Sequence, residues 1–204
     1  MRKFFALFPL LFLFSINLSA IEKINSTISS TKLIYNYIFN VGIEGYFDEW
    51  MQSTYGLIPA LGFEFSTNVS PLLDCVIEFS FSQKKGSNNE YLEQYERHDF
   101  TIFYQRIGLG LRLCDRRLIR RTPFFELGLD AIHAKEWDDI YSNSGDAIGS
   151  HIAMGFRVSI HKNWFIQVRG RMQLLAISMK TSYYNNYKVD LSGPGMSIGV
   201  GLSK

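Results

Sequence analysis

The stretch from Tyr35 to Phe47, YNYIFNVGIEGYF, carries two kinds of side chain that take turns. Every second position gives Tyr35, Tyr37, Phe39, Val41, Ile43, Gly45 and Phe47. The set between them is Asn36, Ile38, Asn40, Gly42, Glu44 and Tyr46. Successive side chains of a strand point to opposite faces, whereas apolar positions on a helix recur at about 3.6 residues, so this is strand periodicity. One face is greasy, and it must meet either a core or lipid.

The same alternation recurs along the chain. Leu57, Pro59, Leu61, Phe63 and Phe65 oppose Ala60, Gly62, Glu64 and Ser66. Leu73, Cys75, Ile77, Phe79 and Phe81 oppose Asp74, Val76, Glu78, Ser80 and Ser82, and Phe103, Ile107, Leu109, Leu111 and Leu113 oppose Arg106, Gly108, Gly110 and Arg112. Next come Phe125, Leu127, Leu129 and Ala131 against Glu126, Gly128 and Asp130. Ile148, Ile152, Met154, Phe156, Val158 and Ile160 follow, against Gly149, His151, Ala153, Gly155, Arg157 and Ser159. Trp164, Ile166, Val168, Met172, Leu174 and Ala176 stand against Gln167, Arg169, Arg171 and Gln173. The last segment sets Met196, Ile198, Val200 and Leu202 against Gly195, Ser197, Gly199 and Gly201.

Eight such strands predict an all-β, eight-stranded antiparallel up-and-down barrel. Its interior is only wide enough for side chains to fill. Rows of Phe, Leu, Tyr and Met from every strand would crowd that space, whereas the set rich in Gly, Ala and Ser fits. The greasy face is therefore expected outside. Apolar strands of about 9 to 11 residues match the hydrocarbon thickness, which makes the barrel transmembrane.

The inward set then holds Glu44, Glu64, Asp74, Glu78, Glu126 and Asp130 with Arg106, Arg112, Arg157, Arg169 and Arg171. Isolated buried charges cost several kcal/mol each, so a paired network filling the lumen is expected. An ion-conducting path is the functional alternative, and it is disfavoured because aqueous pores need larger barrels.

Connections after the second, fourth and sixth strands are short, and those after the first, third, fifth and seventh are longer and polar. Long loops thus gather on one rim, around Asp48 to Gly56, Gln83 to Asp99, Ala134 to Asp146 and Lys180 to Lys188, where Trp50, Tyr91, Tyr95 and Trp137 are candidate partner contacts. Aromatic girdles are expected at Tyr35, Tyr37, Phe124 and Trp164 on the short-turn side. Their counterparts on the other rim are Tyr46, Phe47, Tyr104, Tyr183, Tyr184 and Tyr187. Pro194 marks a kink or bulge in the last strand.

Residues 1–20 read as a signal peptide: Arg2 and Lys3, an apolar run from Phe4 to Phe14, and Leu18-Ser19-Ala20 as cleavage site. Residues 21–33 form an N-terminal lead and 34–204 the barrel. Removing the signal takes two of the 21 basic residues and leaves 19 against 19 acidic ones, so no nucleic-acid surface is indicated. Two cysteines in an exported chain permit one disulfide. Opposite parity of Cys75 and Cys114 argues against it.

Four histidines and two cysteines show no metal-ligand spacing, and neither a cofactor motif nor a catalytic constellation stands out. His151 beside Ser150, His98 beside Asp99, and His133 three residues after Asp130 are candidates for base chemistry, and none forms a recognisable triad. Adjacent strand residues such as Ser150 and His151 point to opposite faces and cannot collaborate without a bulge.

In its signal peptide, eight alternating strands and long/short loop rhythm, the chain resembles the small outer-membrane barrels of diderm bacteria, the OmpA-type barrel domain and OmpX-type proteins. The resemblance covers about Ile34 to Lys204. It implies an outer-membrane location, contacts with outer-membrane lipids and the insertion machinery, periplasmic short turns and surface-exposed long loops that meet a host or envelope partner. Such proteins usually end on an aromatic residue, whereas this chain ends Leu202-Ser203-Lys204. The leading functional reading is a structural or interaction barrel. A lipid-modifying acyltransferase or deacylase, and a periplasmic lipocalin-like carrier with inverted faces, are the alternatives.

Overall fold

The computed structural model describes residues 33–87, 99–114, 121–138, 142–181 and 187–204. The alternating segments are antiparallel strands: β1 (Tyr35–Glu44), β2 (Ile58–Ser70), β3 (Leu73–Ser87), β4 (Asp99–Cys114), β5 (Arg121–Trp137), β6 (Ser142–His161), β7 (Trp164–Leu174), β8 (Ala176–Thr181), β9 (Tyr187–Asp190) and β10 (Gly193–Ser203). Strands β1 to β6 pair in sequence order, β6 pairs β7, β7 pairs β10, and β10 closes on β1. The result is a closed eight-stranded up-and-down barrel with no open edge, the condition for strands in lipid. The short β8–β9 hairpin hangs from the upper end of β6.

A line of register partners measures the tilt. Phe156 pairs Val168, which pairs Ile198, then Val41, Leu61, Phe81, Gln105, His133 and finally Asp146. The line returns to β6 ten residues from where it left. Strands of such a staggered barrel lean by roughly 35–45°, and the long rim is correspondingly highest along β5 and β6.

Parity decides the faces as crowding requires. Leu129 and Met154 are 62% exposed on the outside, whereas Glu64, Asp74, Arg112 and Gln167 are 0% exposed on the inside. An inverted barrel, as a lipocalin-like carrier needs, is not what the chain forms. Among the described residues no helix is long and apolar enough to cross a membrane. Cys75 is exposed on the exterior and Cys114 buried on the interior, and the two are not joined.

The rims differ from expectation in several places. Asp48 to Gly56 is not a loop but a two-turn helix, α1 (Glu49–Tyr55), capped by the Asp48 carboxylate accepting from Met51 N at 2.9 Å and stopped by Gly56 at φ 57°. Trp50 packs edge-on against Tyr55 within that helix, so it is partly committed to the protein. Trp137 ends β5 instead of lying in a loop. Most of the expected loop from Ala134 to Asp146 continues β5 and β6 upward. Lys180 to Lys188 likewise contributes to β8 and β9. Tyr46, Tyr104 and Phe124 are buried inside and not placed in the girdles, while Tyr35, Tyr37, Phe47 and Trp164 are exposed. Pro194 lies within β10 in register with Met172. The register irregularities fall at Asn68/Ser70 and Ser159/His161. Tyr91, Tyr95, His98, Tyr183 and Tyr184 lie outside the described residues, as do residues 1–32.

Candidate functional site

The charged lumen is built from strands that face one another. In a ring of eight, β3 stands opposite β7 and β2 opposite β6. Glu78 of β3 receives Arg169 Nη1 and Arg171 Nη1 of β7, each at 2.7 Å, directly across the barrel. Glu64 of β2 receives Arg157 Nη2 of β6 at 3.4 Å, again across the diameter. These contacts tie walls that share no backbone hydrogen bond.

Glu64 and Glu78 are register partners on β2 and β3, a like-charge pairing that is unfavourable on its own. Cations separate them. Arg169 reaches Glu78 at 2.7 Å, Glu126 at 2.6 Å and Glu64 at 3.8 Å, so one guanidinium stands among three carboxylates. Arg112 donates to Glu64 at 2.6 Å and, through Nε, to Glu126 at 2.8 Å. Gln167 Nε2 donates to Glu64 at 3.0 Å. Asp74 lies 3.7 Å from Arg157. Higher up, Arg106 bonds Glu44 at 2.7 Å, Gln173 at 2.9 Å and Glu78 at 3.3 Å, and Arg171 pairs with Asp130.

All the inward charges expected from the sequence therefore converge. His151 was not among them. Its Nε2 lies 3.0 Å from Glu126 and its Nδ1 3.0 Å from Asp130. Its inward parity on β6 was the signal for this position, and Ser150 does point the other way. His133 faces outward and meets Asp146 at 2.8 Å, not Asp130.

Glycine makes room for the bulk. A Cβ on Gly128 would overlap the His151 ring and come within 2.5 Å of Leu109 O; one on Gly108 would lie 2.9 Å from Asp130 Oδ1. A cavity of about 30 Å³ remains beside Asn40, Ser80, Glu78 and Arg171, large enough for a water molecule.

Aromatic and apolar side chains flank the network at its two ends. Below, Phe124 lies under the Arg112 guanidinium at 4.4 Å, and Phe165 lies 5.1 Å from that of Arg157, contacts of cation–π type. Above, Met51 and Tyr55 of α1, Ile58, Ile102, Ile132, Leu175, Ile177, Met179, Val189 and Leu191 form an apolar roof. Polar groups bind roof to network: Tyr46 and Tyr104 hydroxyls meet, Tyr104 donates to Glu44, and Tyr55 donates to Glu136. Burial first, and then the Glu44 charge, push the Tyr46 phenol above its ordinary pKa. Among the described residues no group of His, Cys, Asp and Glu has the arrangement of a metal site.

Neither a family model nor a curated relative matches the sequence. Solved structures match its fold. The outer membrane protein OprG from Pseudomonas aeruginosa superposes with a TM-score of 0.65 at 12% identity, over 84% of this chain and 95% of that one. Neisserial surface protein A gives 0.53 at 12% identity over 83% and 96%. Ail, the attachment invasion locus protein of Yersinia pestis, gives 0.50 at 13% over 84% and 97%. At such identities the likeness is one of fold, that of the small eight-stranded transmembrane β-barrels.

Proposed function

We propose that this chain is an integral outer-membrane barrel of a diderm bacterium, exported on a signal peptide cleaved after Ala20, with its short turns in the periplasm and its long rim at the cell surface. The observation that carries this reading is the exposed apolar exterior around a lumen filled by charge pairs. Water would not tolerate so large a continuous apolar surface, which lipid requires.

The lumen is a brace, not a path. Its guanidiniums and carboxylates hold opposite walls together, and the apolar roof and aromatic floor flank it at both ends. What is left for function is the rim. It carries α1, the tall β5–β6 wall and the β8–β9 hairpin, with Trp50 and Trp137 at hand for a host or envelope partner. Two fold neighbours are by name a surface protein and an attachment invasion protein, in keeping with an interaction role.

Two measurements test it. An epitope inserted between Asp138 and Ser142 should be labelled by antibody on intact cells, and the purified chain should give no steady conductance in planar bilayers. Labelling only after the cells are opened would reverse the orientation, and stepwise ohmic conductance would replace the brace by a channel.

A further inference from the structure

Above the hydrocarbon-facing band, one side of the barrel turns basic. Lys85 continues the outward row of Phe79 and Phe81 on β3, and Lys135 continues that of Leu127, Leu129 and Ala131 on β5; both are exposed. Lys135 pairs in register with Ser144 of β6, and Ser144 with Lys180 of β8. Lys188 of β9 sits beside them, opposite Ser178. Four exposed ammonium groups thus share one outward surface. Of the acids on this side, Asp146 meets His133 at 2.8 Å and Asp190 accepts from Ser192 N at 2.8 Å.

Directly below Lys135 the wall is hollow. Ala131 stands in register between Ile107 of β4 and Ile148 of β6, and its small side chain leaves a groove of about 580 Å³ between them. Gln105, His133 and Asp146 edge the groove on its upper side. It opens on the same exterior as Leu127 and Leu129, and Ile148 in its wall is 81% exposed.

We propose that this face holds an anionic, phosphate-bearing lipid of the adjoining leaflet, with an acyl chain over Ala131 between Ile107 and Ile148 and the phosphate against Lys135 and Lys180. An amphiphile is the occupant because the apolar hollow and the cationic strip are stacked in the order of a lipid's tail and head. Lysine suits a phosphate as a point charge, and basic residues beside a bilayer recruit anionic headgroups. The inference rests on the membrane reading above.

The test uses the full-length chain in nanodiscs containing equal phosphatidylglycerol and phosphatidylcholine, with native mass spectrometry counting the lipids that stay bound. The wild-type chain should retain phosphatidylglycerol at least about five-fold over phosphatidylcholine. Lys135→Gln with Lys180→Gln should bring the ratio near one, and Ala131→Phe, which fills the hollow with both lysines intact, should lower phosphatidylglycerol retention several-fold. Lys162→Gln with Lys204→Gln, on the opposite rim, should change nothing. Equal retention by the wild-type chain, or a preference lost equally with the opposite-rim pair, would overturn the proposal. Failure of the wild-type chain to insert would overturn it together with the membrane reading, whereas insertion without preference would overturn it alone.

Discussion

Arg169 of β7 and Glu78 of β3 meet at 2.7 Å across the full width of the barrel. Each belongs to a wall that the hydrogen-bond ladder connects only by going around the ring. The same guanidinium also holds Glu126 at 2.6 Å, so its removal leaves several buried carboxylates facing one another.

Arg169→Met should therefore destabilise the folded barrel by about 3 to 5 kcal/mol, the usual cost of breaking a buried pair from one side. Urea titration in phospholipid vesicles would measure it. Replacing the exposed Lys162 by Met provides the comparison and should fall within about 0.5 kcal/mol.

Glycine inside the lumen should be less replaceable than glycine outside. At Gly128 a methyl would strike His151 and Leu109 O, while at Gly170 the nearest atom lies 3.9 Å away. Gly128→Ala should cost about 1 to 3 kcal/mol through overpacking, and Gly170→Ala about 0.5 or less. The same vesicle titration reads both.

Charge on the exterior should be penalised by depth. Leu111, 54% exposed in the middle of the apolar band, should cost about 2 to 4 kcal/mol as Leu111→Arg, and Phe47→Arg at the rim about 0 to 1. A surface in contact with water would show no such gradient.

Cys75 provides a chemical check of the same point. It is exposed on the exterior and not bonded to Cys114, so reducing agent should leave gel mobility unchanged. In proteoliposomes a sulfonated, impermeant maleimide should label Cys75 after unfolding in urea and not before, because the reaction takes place in water through the thiolate. Equal labelling before and after unfolding would place that face in water.

Much of the architecture was legible because the alternation has a period of two and the lumen is narrow. Once crowding assigned the greasy rows to the outside, inward positions such as Glu78, Arg112 and Arg169 followed by parity. Legibility failed where parity and residue type disagree. Tyr46, Tyr104 and Phe124 are aromatic and close to strand ends, which suggested girdles, although each shares the parity of the charged face. Ile102, Ile132, Ile177 and Met179 share it too, and that apolar stretch of the inward rows is the trace of the roof. Only seven residues form α1, too few for a helical period to show. Its signals were the Asp48 cap and Gly56. Sequence alone makes His151 a candidate base, whereas its position between Glu126 and Asp130 depends on the β5–β6 register, which a single strand does not reveal.

All of these outcomes depend on the apolar face of the closed barrel lying in lipid. The most direct measurement is electrophoresis of the full-length chain from the outer-membrane fraction of a diderm host, with and without boiling in detergent. Recovery in that fraction with a mobility shift on boiling is the result predicted for a detergent-resistant closed barrel. Recovery as a soluble periplasmic protein with one mobility would contradict the account.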